Sequence, residues 1–449
     1  MFTFFPSRGA NLCLHINLFM KKIIQKILYV LARAVLKKYK PEVVGITGSM
    51  GKTSTKEAVF AVLSSKFRVR QNLKNYNNEL GLPLSILGVE SGRKSILKWL
   101  GVIFHGLKLI LSRDENYPQI LVLEMGADHP GDIKYLTELA PCKIGVVTGI
   151  GPAHLEFFES IEKIIKEKRT IVSHLRPDGF AVLNRDDEKV FEMREKTRAK
   201  VLTYGFFADA EVRAQEDGVI GEGVGISGMN FKVSYAGAVV PIFLPGVLGR
   251  QHIYAALAGA AVGIIYGMNL VEVAESLKKY QAPKGRMNLI HGIKNTLLID
   301  DTYNASPIPV EAALGVLQSI KLPAEDDKKF AVLGDMLELG SFSEEGHKQV
   351  GRAAAASGVD FLVTVGERSR DIVRAAREAG MGEDKVSNFR TPEEAGIFVQ
   401  GKMKQGDIVL VKGSQGVRME KVVKELMAEP MRACELLVRQ DASWACPRK

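Results

Sequence analysis

The sequence predicts an α/β protein with mostly parallel sheets and at least two domains. From Pro41 onward, short β-rich runs alternate with helical stretches, the pattern of parallel strands joined by crossover helices. A chain of 449 residues is too long for one hydrophobic core. A content of 46% hydrophobic and 25% charged residues is that of a folded protein with ample core. The predicted strands are residues 43–47, 120–123, 144–148, 180–183, 296–299, 330–333, 361–365 and 408–411.

The chain divides into four predicted segments. Pro283 and Gly285 interrupt a helix just before a new strand, so the main boundary is expected there. The segments are a basic N-terminal stretch at residues 1–40, a central α/β domain at 41–283, a second α/β domain at 284–430 and a tail at 431–449.

Charge and cysteine content argue against two classes of site. The net charge is +10, but residues 1–40 hold eight basic residues and no acidic one, so the body is nearly neutral. A nucleic-acid-binding domain usually has a basic stripe along its folded surface, so no nucleic-acid partner is expected. The four cysteines are far apart and form no Cys-x-x-Cys pair, which indicates neither a zinc site nor a disulfide framework. A reducing, cytoplasmic setting fits best.

The basic N-terminus also predicts an amphipathic helix over residues 21–40. Ile24, Ile27, Leu28, Leu31 and Val35 recur at helical spacing, and the basic residues fall elsewhere. No charge-free apolar run reaches about 18 residues, so a spanning helix is not expected. Two interpretations stay open: a helix lying on the inner face of an anionic membrane, or a helix packed on the protein with a solvated basic face. Whether residues 1–19 belong to the mature protein also stays open.

A glycine loop between the first strand and the next helix predicts a phosphate-binding site. Residues 43–55 read as a strand, a loop and a helix that starts at about Thr53, so backbone amides and a helix N-terminus can meet an anion. Lys52 would neutralise the outer phosphates, and the Thr53 hydroxyl would hold Mg²⁺. The glycine spacing departs from the strict phosphate-loop pattern. The predicted nucleotide-binding residues are Gly48, Ser49, Met50, Gly51, Lys52, Thr53 and Ser54.

Three further segments carry side chains suited to a metal or an anion. Glu124 ends a strand of buried type, which favours a metal or ligand contact, although a cap is about equally common there. His154 follows the next strand by a short loop, and Lys166 and Lys168 lie on the helix after it. Residues two apart on a helix cannot both face one site, and a solvated charged face is the alternative for both lysines.

The loop segment Thr-Gly-Ser-Met-Gly-Lys-Thr-Ser-Thr-Lys at residues 47–56 resembles the ATP loop of the Mur ligase family, which departs from the strict spacing in the same way. The resemblance continues to about Glu425. It implies a central P-loop ATPase domain, a C-terminal Rossmann-like α/β domain, and an ATP-dependent amide ligase that works through an acyl phosphate.

The resemblance also implies roles for single residues. It makes Glu124 a ligand of one Mg²⁺ and His154 a ligand of a second. Lys168 matches the family lysine that is carbamylated, and its spacing from His154 favours it over Lys166. Arg286 resembles the arginine that reaches the γ-phosphate from the domain boundary.

Four other segments resemble family contacts with nucleotide or substrate, and a fifth, at Gln251-His252, departs from the family pattern. Residues 300–307 look like the stretch in which an Asp holds the ribose and an Asn lies near the adenine or the phosphates. The family usually has His-Asn before an alanine-rich helix, where this chain has Gln251-His252. The nucleotide contacts implied are Asp301, Asn304 and His252, and the substrate contacts implied are Asn77, Asn78, Asp335, Glu338, Lys412 and Ser414.

Two of these segments, residues 333–340 and 411–420, resemble the subgroup of the family that adds D-alanyl-D-alanine to UDP-N-acetylmuramoyl-tripeptide during peptidoglycan precursor synthesis. The implied small molecules are ATP, D-alanyl-D-alanine and a muramoyl-peptide precursor. The N-terminal domain that usually grips the uridine nucleotide is missing before residue 45, which leaves the acceptor open. The alternatives are a ligase for a lipid-linked precursor or for folate polyglutamation, and a non-catalytic, membrane-attached ATP-binding partner subunit.

Overall fold

The computed structural model describes residues 8–72, 76–93, 95–151 and 158–440, with side chains from residue 22 onward. It forms two compact units. The first comprises Met1–Gln215, Val233–Val240 and Tyr254–Lys279, and the second comprises Glu216–Lys232, Pro241–Ile253 and Tyr280–Lys449. The segment boundaries expected from the sequence remain a prediction.

Nine strands form the first sheet of the described chain, in the order β2-β3-β1-β4-β5-β6-β7-β8-β9. Strands β2 to β6 pair in parallel, with β1 between β3 and β4. The strands are β1 (Glu42–Thr47), β2 (Val69–Gln71), β3 (Ile120–Glu124), β4 (Ile144–Val147), β5 (Phe180–Asn184), β6 (Lys200–Gly205), β7 (Val212–Ile220), β8 (Gly228–Tyr235) and β9 (Ala238–Pro245). The four strands predicted in this region are confirmed as β1, β3, β4 and β5, because each bound shifts by one residue at most.

Six described strands form the second sheet, in the order β10-β11-β15-β12-β13-β14. Strand β10 is antiparallel to β11, and the other pairs are parallel. The strands are β10 (Asn288–Gly292), β11 (Thr296–Asp301), β12 (Lys329–Gly334), β13 (Phe361–Val365), β14 (Val386–Phe389) and β15 (Ile408–Lys412). All four predicted strands of this region are present, so the α/β fold class with mostly parallel sheets is confirmed.

Helices connect the strands as expected for parallel sheets. In the first unit they are α1 (Arg8–Tyr39), α2 (Lys52–Leu63), α3 (Gly81–Leu87), α4 (Ile96–Leu111), α5 (Asp132–Leu139), α6 (Ile161–Ser173) and α7 (Glu188–Phe191). Then follow α8 (Arg250–Ile265), α9 (Leu270–Leu277), α10 (Pro307–Ser319), α11 (Ser343–Ala356), α12 (Arg370–Glu378), α13 (Pro392–Lys402), α14 (Glu420–Leu426) and α15 (Ala433–Leu436).

The N-terminal helix α1 packs on the first unit along its apolar side. Leu28, Leu31, Ala32 and Val35 are buried in the core beside α3 and α4, while the basic residues face outward. A Cβ added at Gly106 of α4 would lie 3.0 Å from the Leu31 side chain, so the glycine permits a close helix contact. The amphipathic helix is therefore confirmed, and its apolar positions fill the core of the protein.

No helix in the described part of the chain is long and apolar enough to cross a membrane.

Removing core packing from α1 should destabilise the protein. Leu28 is fully buried, so Leu28→Ala is expected to lower the free energy of unfolding by about 2 to 5 kcal/mol through lost burial and a cavity. Val30 lies on the same helix but is 59% exposed, so Val30→Ala should change the free energy of unfolding by less than about 0.5 kcal/mol. Urea unfolding followed by circular dichroism measures both. Equal effects would contradict the packing described for α1.

Candidate active site

The phosphate loop lies at the carboxyl end of β1. Gly48 and Gly51 both have positive φ, at 149° and 81°, and α2 begins directly afterward at Lys52. A Cβ at Gly48 would lie 2.1 Å from the Thr148 hydroxyl oxygen, so only glycine fits this close approach. The loop therefore presents backbone amides and the N-terminus of a twelve-residue helix, which together favour an anion.

The loop is held by the segment that follows β4. The Ser49 amide donates to the Gly149 carbonyl at 2.7 Å, and the Ser49 hydroxyl donates to the Gly151 carbonyl at 3.0 Å. The Thr148 hydroxyl donates to the carbonyls of Thr47 and Met50. These contacts hold the loop backbone against the segment that follows the neighbouring strand β4.

Lys52 curls back over the loop that precedes it. Its ammonium group donates to the carbonyls of Gly48 at 2.7 Å and Ser49 at 3.2 Å. Thr53 is half-buried and Ser54 is buried at the start of α2. The predicted nucleotide-binding residues thus lie in one continuous loop and helix start, with the Met50 side chain exposed.

Glu124 is buried at the end of β3, next to β1. Its neighbour in the sheet is Ile46, one residue before the end of β1. The Asn77 amide donates to a Glu124 carboxylate oxygen at 3.0 Å, and Asn72 bonds both the amide and the carbonyl of Glu124. Asn77 and Glu124 are therefore together, as the sequence predicted for one site.

A cleft of about 290 Å³ opens beside the phosphate loop. The predicted residues on its wall are Gly48, Ser49, Lys52, Asn77, Asn78 and Lys168. Asn78 also accepts from the Gly81 amide at 3.0 Å and so orders the start of α3. The same wall contains acidic and histidine side chains that sequence reasoning missed: Glu79, Asp128, His129 and Asp132.

Lys168 is buried on α6, and Lys166 is exposed. Burial, and after it the nearby positive charge of Lys52, lower the pKa of Lys168 to about 7, although the negative charges of Glu167, Asp128 and Asp132 oppose this shift. A large share of its amine is therefore neutral near pH 7. Such a lysine can act as a nucleophile toward CO₂, whereas a fully protonated surface lysine cannot.

Asp132, one of these missed residues, and Glu167 of α6, which the sequence also did not single out, order the backbone at and before the start of α5. The Glu167 carboxylate accepts from the amides of Gly131 at 2.8 Å and Ile133 at 2.7 Å at the start of α5. Asp132 accepts from the amides of Asp128 and His129. The sequence could have indicated Asp128, because it lies four residues after Glu124, just past the end of β3. Glu167 and Asp132 could not be found in this way, because the packing between helices determines their positions.

The metal set expected from the sequence is only partly described. His154 lies outside the described residues. Among the described residues, no group of three or more His, Cys, Asp or Glu side chains is placed to hold a metal ion.

The second unit collects polar side chains at the carboxyl ends of three adjacent strands. Asp301 ends β11 and pairs in the sheet with Lys412, which ends β15. The Lys412 ammonium group is buried and donates to the Asp301 carboxylate at 2.6 Å and to the Asn304 carbonyl at 2.9 Å. Ligands of open α/β sheets bind at this edge, so these residues are placed where a ligand is expected.

The loop after β12 joins the same edge. Asp335 accepts from the Ser369 amide at 2.7 Å, and buried Ser414 accepts from the Leu337 amide at 2.9 Å. His347, fully buried, accepts from the Met336 amide at 3.0 Å. Glu338 stays exposed at a positive φ of 64°. Asp335 and Ser414 therefore shape the loop, and Glu338 is its outward carboxylate.

Arg286 and His252 of the second unit differ in how their side-chain nitrogens are hydrogen-bonded. The Arg286 guanidinium lies 4.2 Å from the Tyr303 ring centre, and its Nε is buried without a partner among the described residues. His252 is fully buried, with one ring nitrogen bonded to Tyr280 and the other to the Arg286 carbonyl, each at 2.8 Å. Both ring nitrogens of His252 are thus engaged within the protein, and its expected adenine contact stays a prediction.

This combination of a phosphate loop, a cleft lysine and two α/β units defines an ATP-dependent ligase of the Mur type. The family model described as the Mur ligase middle domain matches residues 105–263, and that described as Mur ligase, glutamate ligase domain matches residues 285–415. The chain belongs to the Mur ligase family, which confirms the resemblance seen in its motifs.

Within this family, the chain is similar to several individual proteins of known name or structure. The chain is 31% identical to UDP-N-acetylmuramoyl-tripeptide–D-alanyl-D-alanine ligase of Bacillus subtilis over 89% of this chain and 79% of that protein. It is 31% identical to the enzyme of the same name from Escherichia coli, covering 88% and 79%. The solved MurF of Acinetobacter baumannii matches with a TM-score of 0.73 at 27% identity over 90% and 80% of the chains. MurF of Thermotoga maritima, solved in complex with ADP, matches with a TM-score of 0.71 at 29% identity, over 89% of this chain and 83% of that chain.

The buried state of His252 makes stability depend on pH. Burial lowers its pKa from 6.5 to about 4. Between these values the unfolded chain binds a proton that the folded chain does not, so this residue lowers the stability as pH falls from about 6.5 to 4. His252→Gln should lower the free energy of unfolding at pH 7.5. Between pH 6.5 and 4.5, however, the free energy of unfolding should fall less for this variant than for the parent protein. Urea unfolding across this range measures it, with exposed His291→Gln as the control. Parallel pH curves for parent and His252→Gln would contradict this assignment.

Proposed function

We propose that this chain is an ATP-dependent ligase that adds D-alanyl-D-alanine to UDP-N-acetylmuramoyl-tripeptide in peptidoglycan precursor synthesis. The observation that carries the proposal is the cleft in which Lys52 of the phosphate loop and Lys168 of α6 converge beside Asn77 and Asn78. Relatives of that name cover most of the chain, and one related structure was solved with ADP.

The chemistry requires an activated acid. The γ-phosphoryl group of ATP passes to the carboxylate of the acceptor peptide, which yields an acyl phosphate and ADP. The amine of D-alanyl-D-alanine then attacks the acyl carbon, loses a proton, and expels inorganic phosphate as the amide forms. A carboxylate and a triphosphate repel each other, so Lys52 and the amides of the loop offset the charge that develops on the transferring group.

The donor set of the first unit suits Mg²⁺. The Thr53 hydroxyl and the Glu124 carboxylate are hard oxygen ligands, and Mg²⁺ usually keeps several waters and phosphate oxygens beside one or two protein ligands. Bound Mg²⁺ would supply charge neutralisation at the phosphates. Asn77 holds one oxygen of Glu124 and so orients that carboxylate. Two ions, the second held by His154, are part of the proposal.

Lys168 is proposed to carry a carbamate. Its lowered pKa leaves neutral amine to add CO₂, and the product replaces a positive charge beside Lys52 with a negative one. The new anion would pair with Lys52 or support a bound cation. This change would also relieve the repulsion between the two lysines.

The second unit is proposed to contribute the remaining contacts. Asp301 and Asn304 would hold the nucleotide, and Arg286 would contact the γ-phosphate. The Lys412 pair with Asp301 orients that carboxylate. Asp335, Glu338, Lys412 and Ser414 are proposed to border the D-alanyl-D-alanine site.

The cellular setting proposed is the cytoplasm, with residues 21–40 near the inner face of the membrane. Because the apolar side of α1 fills the core, this segment turns outward a face on which basic residues predominate, with Ile23 and Val30 also exposed.

Removing the Lys52 ammonium group should abolish turnover. Lys52→Ala is expected to lower phosphate release from ATP by about 100-fold or more, because the transferring phosphoryl group loses a direct cation. Lys66→Ala is the control, since this lysine follows α2 and pairs with Glu272 at the surface. Circular dichroism should show both variants folded. A fully active Lys52→Ala would refute the site.

A panel of acceptors identifies the substrate. Phosphate release should require both UDP-N-acetylmuramoyl-tripeptide and D-alanyl-D-alanine, with single amino acids inactive. Release with a folate or a lipid-linked acceptor instead would reassign the ligase. ATP binding without release for any pair would indicate a non-catalytic partner subunit.

Carbamylation of Lys168 is directly measurable. In ¹³C-labelled bicarbonate at pH 8, a carbamate carbon signal is expected from the parent protein, and it should weaken as pH falls below about 7. Lys168→Ala should lose the signal, and exposed Lys166→Ala should retain it. A signal that survives Lys168→Ala would contradict the assignment.

A further inference from the structure

Helix α4 displays a stripe of large apolar side chains to solvent. Leu97, Leu100, Phe104, Leu107 and Leu111 are between 43% and 85% exposed. Their spacing of three and four residues places them along one face of the helix. Contiguous exposed apolar surface of this kind marks an interaction site in a folded protein, whereas single exposed apolar residues do not.

The opposite face of α4 already serves the core. Val102, Gly106 and Leu109 are buried, and Gly106 packs against Leu31 of α1. The helix is therefore fixed in orientation, with the apolar stripe turned outward by packing and not by fraying. We define the α4 stripe as the five exposed residues named above.

The helix that carries the α4 stripe and the neighbouring helix α1 are both basic. Neither α1 nor α4 contains an acidic residue, and the acidic residues nearest to α4 along the chain are Glu90 before it and Asp114 and Glu115 after it. Lys98 and Lys108 of α4 are exposed, and neighbouring α1 exposes a row of cations along its outer face: Lys22, Lys26, Arg33 and Lys37. Apolar side chains flanked by cations match a surface with an apolar interior and anionic headgroups.

The length of α4 decides how it would meet such a surface. Its 16 residues extend about 24 Å, short of the roughly 30 Å hydrocarbon core of a bilayer. With its inner face bound to α1 and the core, only the outer half of the helix can enter lipid. This geometry fits a helix lying in the headgroup region.

We infer that the α4 stripe, together with the basic side chains of α1 and α4, docks this protein on the surface of an anionic lipid bilayer. The apolar side chains enter the boundary between headgroups and acyl chains, and the lysines and arginine lie at the level of the lipid phosphates. Docking of this kind needs no substrate or nucleotide, so it stands apart from the ligase activity proposed above.

Vesicle co-sedimentation of the full chain tests the inference. The protein should bind phosphatidylcholine vesicles that contain phosphatidylglycerol, bind pure phosphatidylcholine more weakly, and release as salt rises. The double variant Leu100→Gln with Phe104→Gln should lower the partition coefficient by about tenfold or more. Its matched control is Val271→Gln with Ile397→Gln, which makes the same change at exposed positions of α9 and α13.

Charge and depth give two independent readouts. Lys22→Glu with Lys26→Glu should remove the preference for anionic vesicles. The chain has two tryptophans, and Trp99 lies half-buried on α4, so Trp444→Phe leaves one reporter. Its emission should shift to shorter wavelength on binding and be quenched by brominated lipids.

Several outcomes would overturn the inference. The first is that the parent protein does not bind anionic vesicles. The second is that the α4 variant and its control bind them equally. Self-association in sedimentation velocity that the α4 variant abolishes, without vesicle binding, would assign the stripe to a second copy of the chain. Phosphate release measured without vesicles should be unchanged in the α4 variant, so failure of the ligase proposal is recognised separately.

Discussion

The candidate active site depends on the adjacency of β3, β1 and β4 in one parallel sheet. Parallel pairing brings the carboxyl ends of these strands to the same edge, so Glu124, the phosphate loop and the segment after Val147 meet there. Since Thr148 and Gly149 bond the loop backbone, β4 determines where the loop amides point. The same sheet edge receives the Lys168 side chain through α6. One pairing order therefore sets the positions of groups that are distant in sequence.

The second unit follows the same rule with a different chemical result. Strands β11, β15 and β12 are adjacent, and their ends carry a buried lysine and aspartate pair together with a loop ordered by Ser414 and His347. Almost every polar group there is engaged by backbone or by a partner. The Arg286 guanidinium stacks on Tyr303 and leaves its buried Nε without a partner, and among the described residues Asp300 Oδ2 and Arg439 Nε are also buried without one. An unsatisfied buried donor costs stability unless a bound group engages it.

Local pattern predicted a large part of this structure. Hydrophobic runs bounded by glycine and polar residues located the strands, and the glycine spacing located the phosphate loop before Lys52. Helical geometry also separated Lys168 from Lys166, because residues two apart face different directions. The burial of His252 was beyond reach, since a histidine before an alanine-rich helix has the same local sequence whether it faces a ligand or Tyr280. Glu167 was missed for a similar reason, because only the packing of α5 against α6 brings its carboxylate to the amides at the start of α5.

Lys38 shows how firmly the first two long helices are joined. Its ammonium group donates to the carbonyls of Leu109, Ile110 and Ser112, at and just beyond the carboxyl end of α4, where backbone acceptors lack partners within the helix. The cation also balances the negative end of the α4 dipole. As a result the last turn of α4 is capped by a residue of α1, which joins the carboxyl-terminal ends of the two helices.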